Sequence, residues 1–479
     1  MRKFSFMLTA LLAFVLVATA CSGNNGANTP ANNNNTTTPP ANNASEPPAE
    51  EDITQKKVTI SVYYPTPDRV EDRALEDDKI RRFNEVFPNV EIVKSDWQYN
   101  PSEIGIKMGA NEAPTLFNTY ASEGKFLAEK GWAADITELF NNYEFKDQMN
   151  PVLQDLFMVD GRIYGIAQQG YPTGVVVNKK MLDEKGVAIP PYNWTWDDML
   201  QAAQAVADPD AGISGIAPMG RTNDAGWNWT NFLFTAGGDI QQVVDGKVTA
   251  IFNSEAGLKA LEYYNKLKWE ANAIPQDWAL NWGDAVGAFA QGRTAMVIAG
   301  PDGPVDQALN QGGMRLEDIL VYPIPAYEQG GKHYGVLGGD FLVINPNATK
   351  DEQEIAFHYA TFDYFSDKGL ESLERNIQDR KNENKYFVPA VLQYYKADSE
   401  YGQKVTELFK KYDNVYQYNQ ETLSLIDGKP ESQYNTQDYY GAMTNVIQEV
   451  FSKQGVNMQE QLDSAAKFMQ EKFYDTIQP

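Results

Sequence analysis

Carboxylates and aromatic rings are the side chains with which this chain could do chemistry; imidazoles and thiols are scarce. Phe, Trp and Tyr make up 12% of the 479 residues, and 65 residues are Asp or Glu. Against these stand two histidines, His333 and His358, and one cysteine, Cys21. A single thiol excludes an internal disulfide and any zinc or iron–sulfur site built on several cysteines. Two histidines leave little from which to assemble a histidine-based catalytic centre. The chain contains no His-Glu-x-x-His pair, no Gly-x-Ser-x-Gly elbow, no Gly-x-Gly-x-x-Gly turn and no Gly-rich loop ending in Gly-Lys-Ser/Thr. The adjacent acids Asp77-Asp78 and Asp197-Asp198 read as helix N-terminal acids and solvated faces. Asp208-Pro209-Asp210-Ala211-Gly212 alternates carboxylates as calcium loops do, but lacks the bidentate acid that closes such a loop. No catalytic residue, metal or cofactor is therefore expected.

What remains is the chemistry of recognition. Aromatic rings offer flat apolar faces for stacking, while Asp, Glu, Asn and Gln accept or donate hydrogen bonds in pairs. The formal charge of −25 opposes phosphate backbones, whose binding needs basic residues to release counterions, so no nucleic-acid partner is expected.

The elements that must position such groups alternate along the chain. A β-branched and aromatic run at 57–64 predicts a strand, and Leu75, Ile80, Phe83 and Phe87 predict a helix over 71–87 that Pro88 ends. Further strands are expected at 90–93, 115–117 and 163–166, with helical stretches at 126–130 and 136–140. The pattern restarts with Gly174-Val175-Val176-Val177-Asn178. Helices are then predicted at 196–206, 227–235, 254–269 and 284–291, with strands at 294–299, 319–324 and 341–344. From Lys350 onward the periodicity is almost wholly helical. Strands alternating with helices predict an α/β fold with mostly parallel sheets flanked by helices. The restart predicts two lobes, and the cleft between them is where strand ends and helix N-termini converge on a small molecule.

The start of the chain is an address. Arg2 and Lys3 precede an apolar run over 4–17 and then Ala18-Thr19-Ala20-Cys21, the layout of a signal peptide over 1–20. The run is short for a bilayer span. Residues 22–52 carry Asn, Ala, Pro, Thr and Gly with almost no large apolar side chain, the composition of a spacer that cannot bury a core. The segment ending Ala20-Cys21-Ser22-Gly23 resembles a bacterial lipobox, with Ala18 where Leu is usual. That resemblance implies cleavage before Cys21, a lipid on its thiol, and export to the outer face of a membrane, as on a Gram-positive cell surface.

Four further segments resemble the extracellular solute-binding proteins of family 1, the maltose-binding-protein-like receptors of ABC importers. They are Gly161-Arg162-Ile163-Tyr164-Gly165-Ile166 leading to 174–179, Asn193-Trp194-Thr195-Trp196-Asp197-Asp198-Met199-Leu200, Phe289-Ala290-Gln291-Gly292-Arg293-Thr294-Ala295-Met296, and the run 335–344 around Gly338-Gly339-Asp340. The resemblance implies a type II periplasmic-binding-protein fold. Its first lobe would hold 53–168 and 340–397, its second 171–333 and 398–479, with hinge crossovers at 168–170 and 334–339. It implies a monomer that captures a carbohydrate, an oligosaccharide in the first instance, and delivers it to transmembrane permease subunits without chemistry.

The same resemblance nominates the site. Gly226-Trp227-Asn228-Trp229 matches the segment that supplies a stacking ring, with Trp227 the better candidate and Trp229 equally suited to the core. Tyr439 and Tyr440 open a late helix where ligand-facing aromatics are frequent. Tyr171 follows the first crossover, beside Gln168 and Gln169. Tyr64, Asn118, Tyr120 and Glu123 fall at strand C-terminal ends, and Asp340 is a polar residue amid apolar neighbours at the second crossover. Asp302 stands where the family frequently has a stacking Trp. Trp194, Trp196, Trp269, Trp278 and Trp282 are expected in the core or in helix packing. Two other readings stay open on the residues alone: a surface-anchored carbohydrate hydrolase using two carboxylates, and the same fold with a polyamine or peptide as ligand.

Overall fold

The computed structural model describes residues 52–477; the leader, Cys21 and all but the last residue of the spacer lie outside the described residues. Ten strands carry the architecture: β1 (Val58–Tyr63), β2 (Val90–Ser95), β3 (Leu116–Tyr120), β4 (Ile166–Pro172), β5 (Gly174–Asn178), β6 (Met296–Ala299), β7 (Ile319–Pro323), β8 (Tyr334–Ile344), β9 (Leu392–Gln393) and β10 (Asp427–Pro430). The larger sheet has the order β9-β4-β8-β3-β1-β2, with β10 added to one end of β8. A second sheet has the order β6-β5-β7.

Strand direction corrects the expectation of mostly parallel sheets. β1 runs parallel to β2 and β3, and β10 parallel to β8, but β8 is antiparallel to both β3 and β4. In the second sheet β5 is antiparallel to both neighbours. The reason lies in the two crossovers: β4 leads from the larger sheet to the second and β8 leads back, so these two run against each other.

Alternation along the strands explains how each sheet is covered on both faces. On β8, Leu342 and Ile344 face a core with Val58, Ile60, Val62, Phe83 and Phe357, whereas Phe341 and Val343 face one with Tyr99, Phe117, Leu127 and Leu153. On β5, Val175 and Val177 pack with Trp194, Trp196, Trp229 and Phe232, and Val176 turns to Val286, Phe289 and Val297. Trp194, Trp196 and Trp229 are thus core residues, as expected for the first two.

Local signals place the helices well. Thr195 and Asp198 form a reciprocal capping box that starts α2 (Trp196–Val206), and α1 spans Val70–Val86. α3 (Thr222–Thr235) begins five residues before the predicted 227, because Thr222 takes a left-handed φ of 55° and turns the chain into the helix early. α4 (Trp282–Ala290) follows a capping box of Asn281 and Asp284, α5 is Asp302–Asn310, and α6 is Lys350–Ala360. The tail adds α7 (Glu400–Lys411), α8 (Thr436–Ser452) and α9 (Met458–Lys472), interrupted by the short strands β9 and β10 that periodicity did not show. Tyr401 and Val405 of α7 pack into the core beneath β1, so 400–411, expected with the second lobe, joins the first sheet. Among the described residues no helix is long and apolar enough to cross a membrane.

Candidate functional site

A cleft of about 1040 Å³ opens where the C-terminal ends of β2 and β3 meet the N-termini of α3 and α8. One wall carries Tyr99, Asn100, Tyr120 and Glu123; the other carries Asp224, Trp227, Trp282, Glu431 and Tyr440. Tyr171, Gly338 and Gly339 form the floor, at the crossovers. Both helix starts are marked by non-glycine residues at positive φ, Thr222 at 55° and Asn435 at 49°, and both of these line the cleft. Strained backbone held at a cavity is a common mark of a binding site.

Gly226 is what lets Trp227 and Tyr440 share one wall. A Cβ on Gly226 would lie 2.4 Å from the Tyr440 carbonyl oxygen, so α3 and α8 cross at a distance only glycine permits. Asn231, fully buried on α3, ties this wall to both crossovers: its Oδ1 accepts from the Val336 amide at 2.9 Å and from the Thr173 hydroxyl. The Gln437 amide bridges the walls, donating to the Ser122 hydroxyl at 2.9 Å while its own oxygens accept from Asn223 at 3.0 Å.

Of the residues nominated from sequence, the structure gathers Trp227, Tyr171, Tyr120, Tyr440 and Glu123 at the cleft. Trp227 is half-buried, and Tyr440 is 1% exposed with its hydroxyl on the Glu431 carboxylate. Tyr439 is not at the cleft. One helical step rotates it into the core, where its hydroxyl meets Thr230 Oγ1 at 3.0 Å and its ring packs on Phe252. Tyr64 also turns away: its hydroxyl donates to Asp77 at 2.8 Å, and Arg73 and Lys94 cover its ring. The period of two along β1 puts Tyr63, not Tyr64, near Asp340. Asn118 stands behind the cleft, its Oδ1 accepting from the Tyr99 amide at 3.4 Å. Gln169 and Asp340 face each other in register on β4 and β8, with Gln169 Nε2 donating to Asp340 Oδ2 at 2.8 Å. They sit beside the floor rather than on the lining.

The electrostatics of the cleft are those of crowded acids. Burial pushes the Glu123 carboxyl up to about 7, with Tyr99 and Ser122 hydroxyls donating to it and the Asp438 charge opposing its ionisation. Burial likewise pushes Glu431 up to about 7, offset by the Tyr440 hydroxyl and reinforced by Glu123 across the cleft. Asp302, at the first position of α5, is pushed up to about 7 by burial and by Asp340. Burial also raises Asp340, Asp224 and Asp438. Such groups accept hydrogen bonds from hydroxyls or attract cations.

Sequence reasoning missed Tyr99, Glu431, Asp224 and Trp282. Tyr99 follows β2 by four residues, the same strand-end logic that singled out Glu123, and could have been found by it. Trp282, expected in packing, is 40% exposed and lines the cleft, its amide donating to Asp224 at 2.9 Å. Glu431 carried no local signal.

Comparison with known proteins agrees with this architecture. The chain is 26% identical over 243 residues to the arabinooligosaccharide-binding protein of Bacillus subtilis (strain 168), a match covering 50% of this chain and 53% of the relative. The chain thus spans about half the length of the curated relatives it matches. An ABC transporter solute-binding protein from Thermotoga lettingae, solved with α-D-tagatose, superposes with a TM-score of 0.67 at 21% identity, covering 86% of this chain and 99% of that one. A substrate-binding protein from Listeria monocytogenes, solved with cycloalternan, gives a TM-score of 0.67 at 17% identity, covering 87% and 99%. These likenesses establish the type II periplasmic-binding-protein fold. The family model described as bacterial extracellular solute-binding protein matches residues 66–362, more than half of the chain. With its mixed sheets, twin crossovers and cleft at their junction, the chain belongs to the bacterial extracellular solute-binding proteins.

Proposed function

We propose that this protein is the capture component of an ABC importer, holding an intact carbohydrate in the cleft and presenting it to transmembrane permease subunits. The observation that carries the reading is the lining itself. Rings of Trp227, Tyr171, Trp282 and Tyr120 are spread through one 1040 Å³ cavity, interleaved with carboxylates and amides. That volume exceeds what a single sugar unit fills and suits an oligosaccharide. Trp282 and Tyr120 are 40% and 42% exposed, large rings left open where a ligand face would cover them.

In this reading the first lobe comprises 53–168 and 340–397 together with helix α7, and the second comprises 171–333 and the chain from 412. Residues 168–170 and 334–339 act as hinges, and ligand shifts the population toward a closed form by touching both walls. Cys21 carries the lipid, residues 22–52 hold the body off the membrane, and the protein works as a monomer without turnover of its ligand. Calorimetric titration with arabino- and malto-oligosaccharides, followed by analysis of the recovered sugar, tests this. Saturable 1:1 binding of an oligosaccharide recovered intact is the expected result. Release of new reducing ends would make the protein a hydrolase and end the receptor reading.

A further inference from the structure

Six carboxylates collect around the cleft and its floor: Glu123, Asp224, Asp302, Asp340, Glu431 and Asp438. Among the described residues none of them forms an ion pair, although acids elsewhere on the protein do so freely. Like charges act on one another within this group. Glu123, after β3, is opposed by Asp438 of α8 and itself opposes Glu431, while Asp340 of β8 opposes Asp302 of α5. Tyr171 stands between the two groups, within the field of Asp302, Asp340 and Glu431.

The basic groups near them are committed elsewhere. Arg69, which faces Asp340, is held by Asp72 at 2.7 Å and by the Tyr63 hydroxyl at 3.1 Å. Arg221, near Asp224, pairs with Asp284 at 2.5 Å. Lys125 and Lys429, two residues from Glu123 and Glu431, turn to Glu129 at 3.7 Å and Asp239 at 3.0 Å. Lys130 lies over the Phe126 ring at 5.8 Å and acts on Asp438 only through its charge, and Asp306, beside Asp302, pairs with Arg380 at 3.0 Å. The donors that do reach these acids are neutral: Tyr99 and Ser122 on Glu123, Tyr440 on Glu431, Gln169 on Asp340 and the Gly303 amide on Asp302. Neutral donors hold a buried carboxylate in place but do not cancel its charge. Glu123 is 3% exposed and lines the cavity, so its charge is balanced there by a proton or by a cation arriving with the ligand.

We propose that the ligand of this cleft carries a protonated amine, seated between Glu123 and Glu431 and flanked by aromatic rings, as in an amino-sugar oligomer. The inference rests on the reading of the cleft as the ligand site. An ammonium entering there is attracted by carboxylates of both walls at once, and the faces of Tyr171 and Trp227 add cation–π attraction. A uronate or phosphorylated sugar meets repulsion from the same groups. Because Glu123 and Glu431 hold protons near neutrality, amine binding releases protons.

The test is calorimetric titration of the full chain at neutral pH and low salt with three trimers of one linkage: β-1,4-linked glucosamine, its N-acetylated counterpart, and cellotriose. Spermidine and a galacturonate trimer complete the set. The glucosamine trimer is expected to bind at least about tenfold tighter than either neutral trimer, a difference worth about one pKa unit of charge interaction. The preference should shrink in Glu431→Gln and Asp302→Asn, and the binding heat should depend on the buffer's ionisation enthalpy. Neutral trimers binding as tightly as the amine, or no saturable binding of either amine probe, overturns the proposal and leaves the carbohydrate-receptor reading standing. Spermidine binding tighter than every trimer supports the amine and overturns the carbohydrate reading. Tight binding of galacturonate overturns the charge argument outright.

Discussion

The ring of Tyr171 lies against Gly338 so closely that a Cβ on Gly338 would sit 2.5 Å from Cε2. A Cβ on Gly300 would sit 2.6 Å from Cγ of the same ring. Two glycines from separate segments thus make room for this one phenol at the floor of the cleft. Gly338→Ala should displace the ring, cost about 1–3 kcal/mol of stability by overpacking, and weaken ligand binding more than it lowers the urea midpoint would explain. Unchanged affinity in a folded Gly338→Ala protein would show that Tyr171 does not touch ligand.

Trp227 and Trp229 are neighbours in sequence with opposite roles. Trp227, half-buried against two cores, should cost less stability than Trp229 when cut to Ala, but Trp227→Ala should weaken ligand binding by about 0.5–1.5 kcal/mol, the worth of an aromatic stacking contact. Trp229, 0% exposed in the core, should instead cost about 3–5 kcal/mol of stability when cut to Ala. Chemical denaturation and calorimetry on the pair separate the two effects.

Glu123 makes stability depend on pH in a stated direction. Its folded-state value of about 7 lies above the ordinary 4.5, so the folded protein keeps this proton longer than the unfolded chain does. Its contribution is fully present at pH values below about 4.5 and is lost as pH rises through about 7, a change of roughly 3 kcal/mol. Glu123→Gln keeps an acceptor for the Tyr99 hydroxyl and removes the titration. The variant should therefore gain on the wild type between pH 5 and 8 in melting temperature, and parallel curves would contradict the assignment.

Arg82 offers a control remote from the cleft. It is 7% exposed and binds Asp363 through both terminal nitrogens and Asp78 through Nε at 2.8 Å, joining α1 to the segment after α6. Arg82→Ala strands Asp363 in a half-buried setting, while Asp78 keeps Arg81 at 2.6 Å and Arg375 at 3.4 Å, and should cost about 1–3 kcal/mol, with ligand affinity unchanged once the protein is folded. A denaturation curve and one ligand titration decide it.

Much of the local structure was written in short-range patterns. The Thr195–Asp198 capping box set the start of α2, the β-branched run Val175-Val176-Val177 marked β5, and Gly338-Gly339 marked the second crossover, because caps, strand propensity and tight turns depend on residues a few positions apart. The same patterns, with the family resemblance, singled out Trp227, Tyr171, Tyr440 and Glu123.

Tertiary structure alone decided which of these face one another. Tyr439 and Tyr440 are alike in sequence, and only the crossing of α3 over α8 at Gly226 makes one core and the other cleft. The opposition of Glu123 to Glu431 and the bridge from Gln437 to Ser122, 315 residues apart, arise where strand ends of one sheet meet helix starts beside the other. Periodicity tells each element which of its own faces is apolar, but the partner of that face is selected by the packing of the whole chain. The assembly of the cleft, its unpaired acids and its open rings therefore belongs to the fold, while the means to build each wall belongs to the sequence.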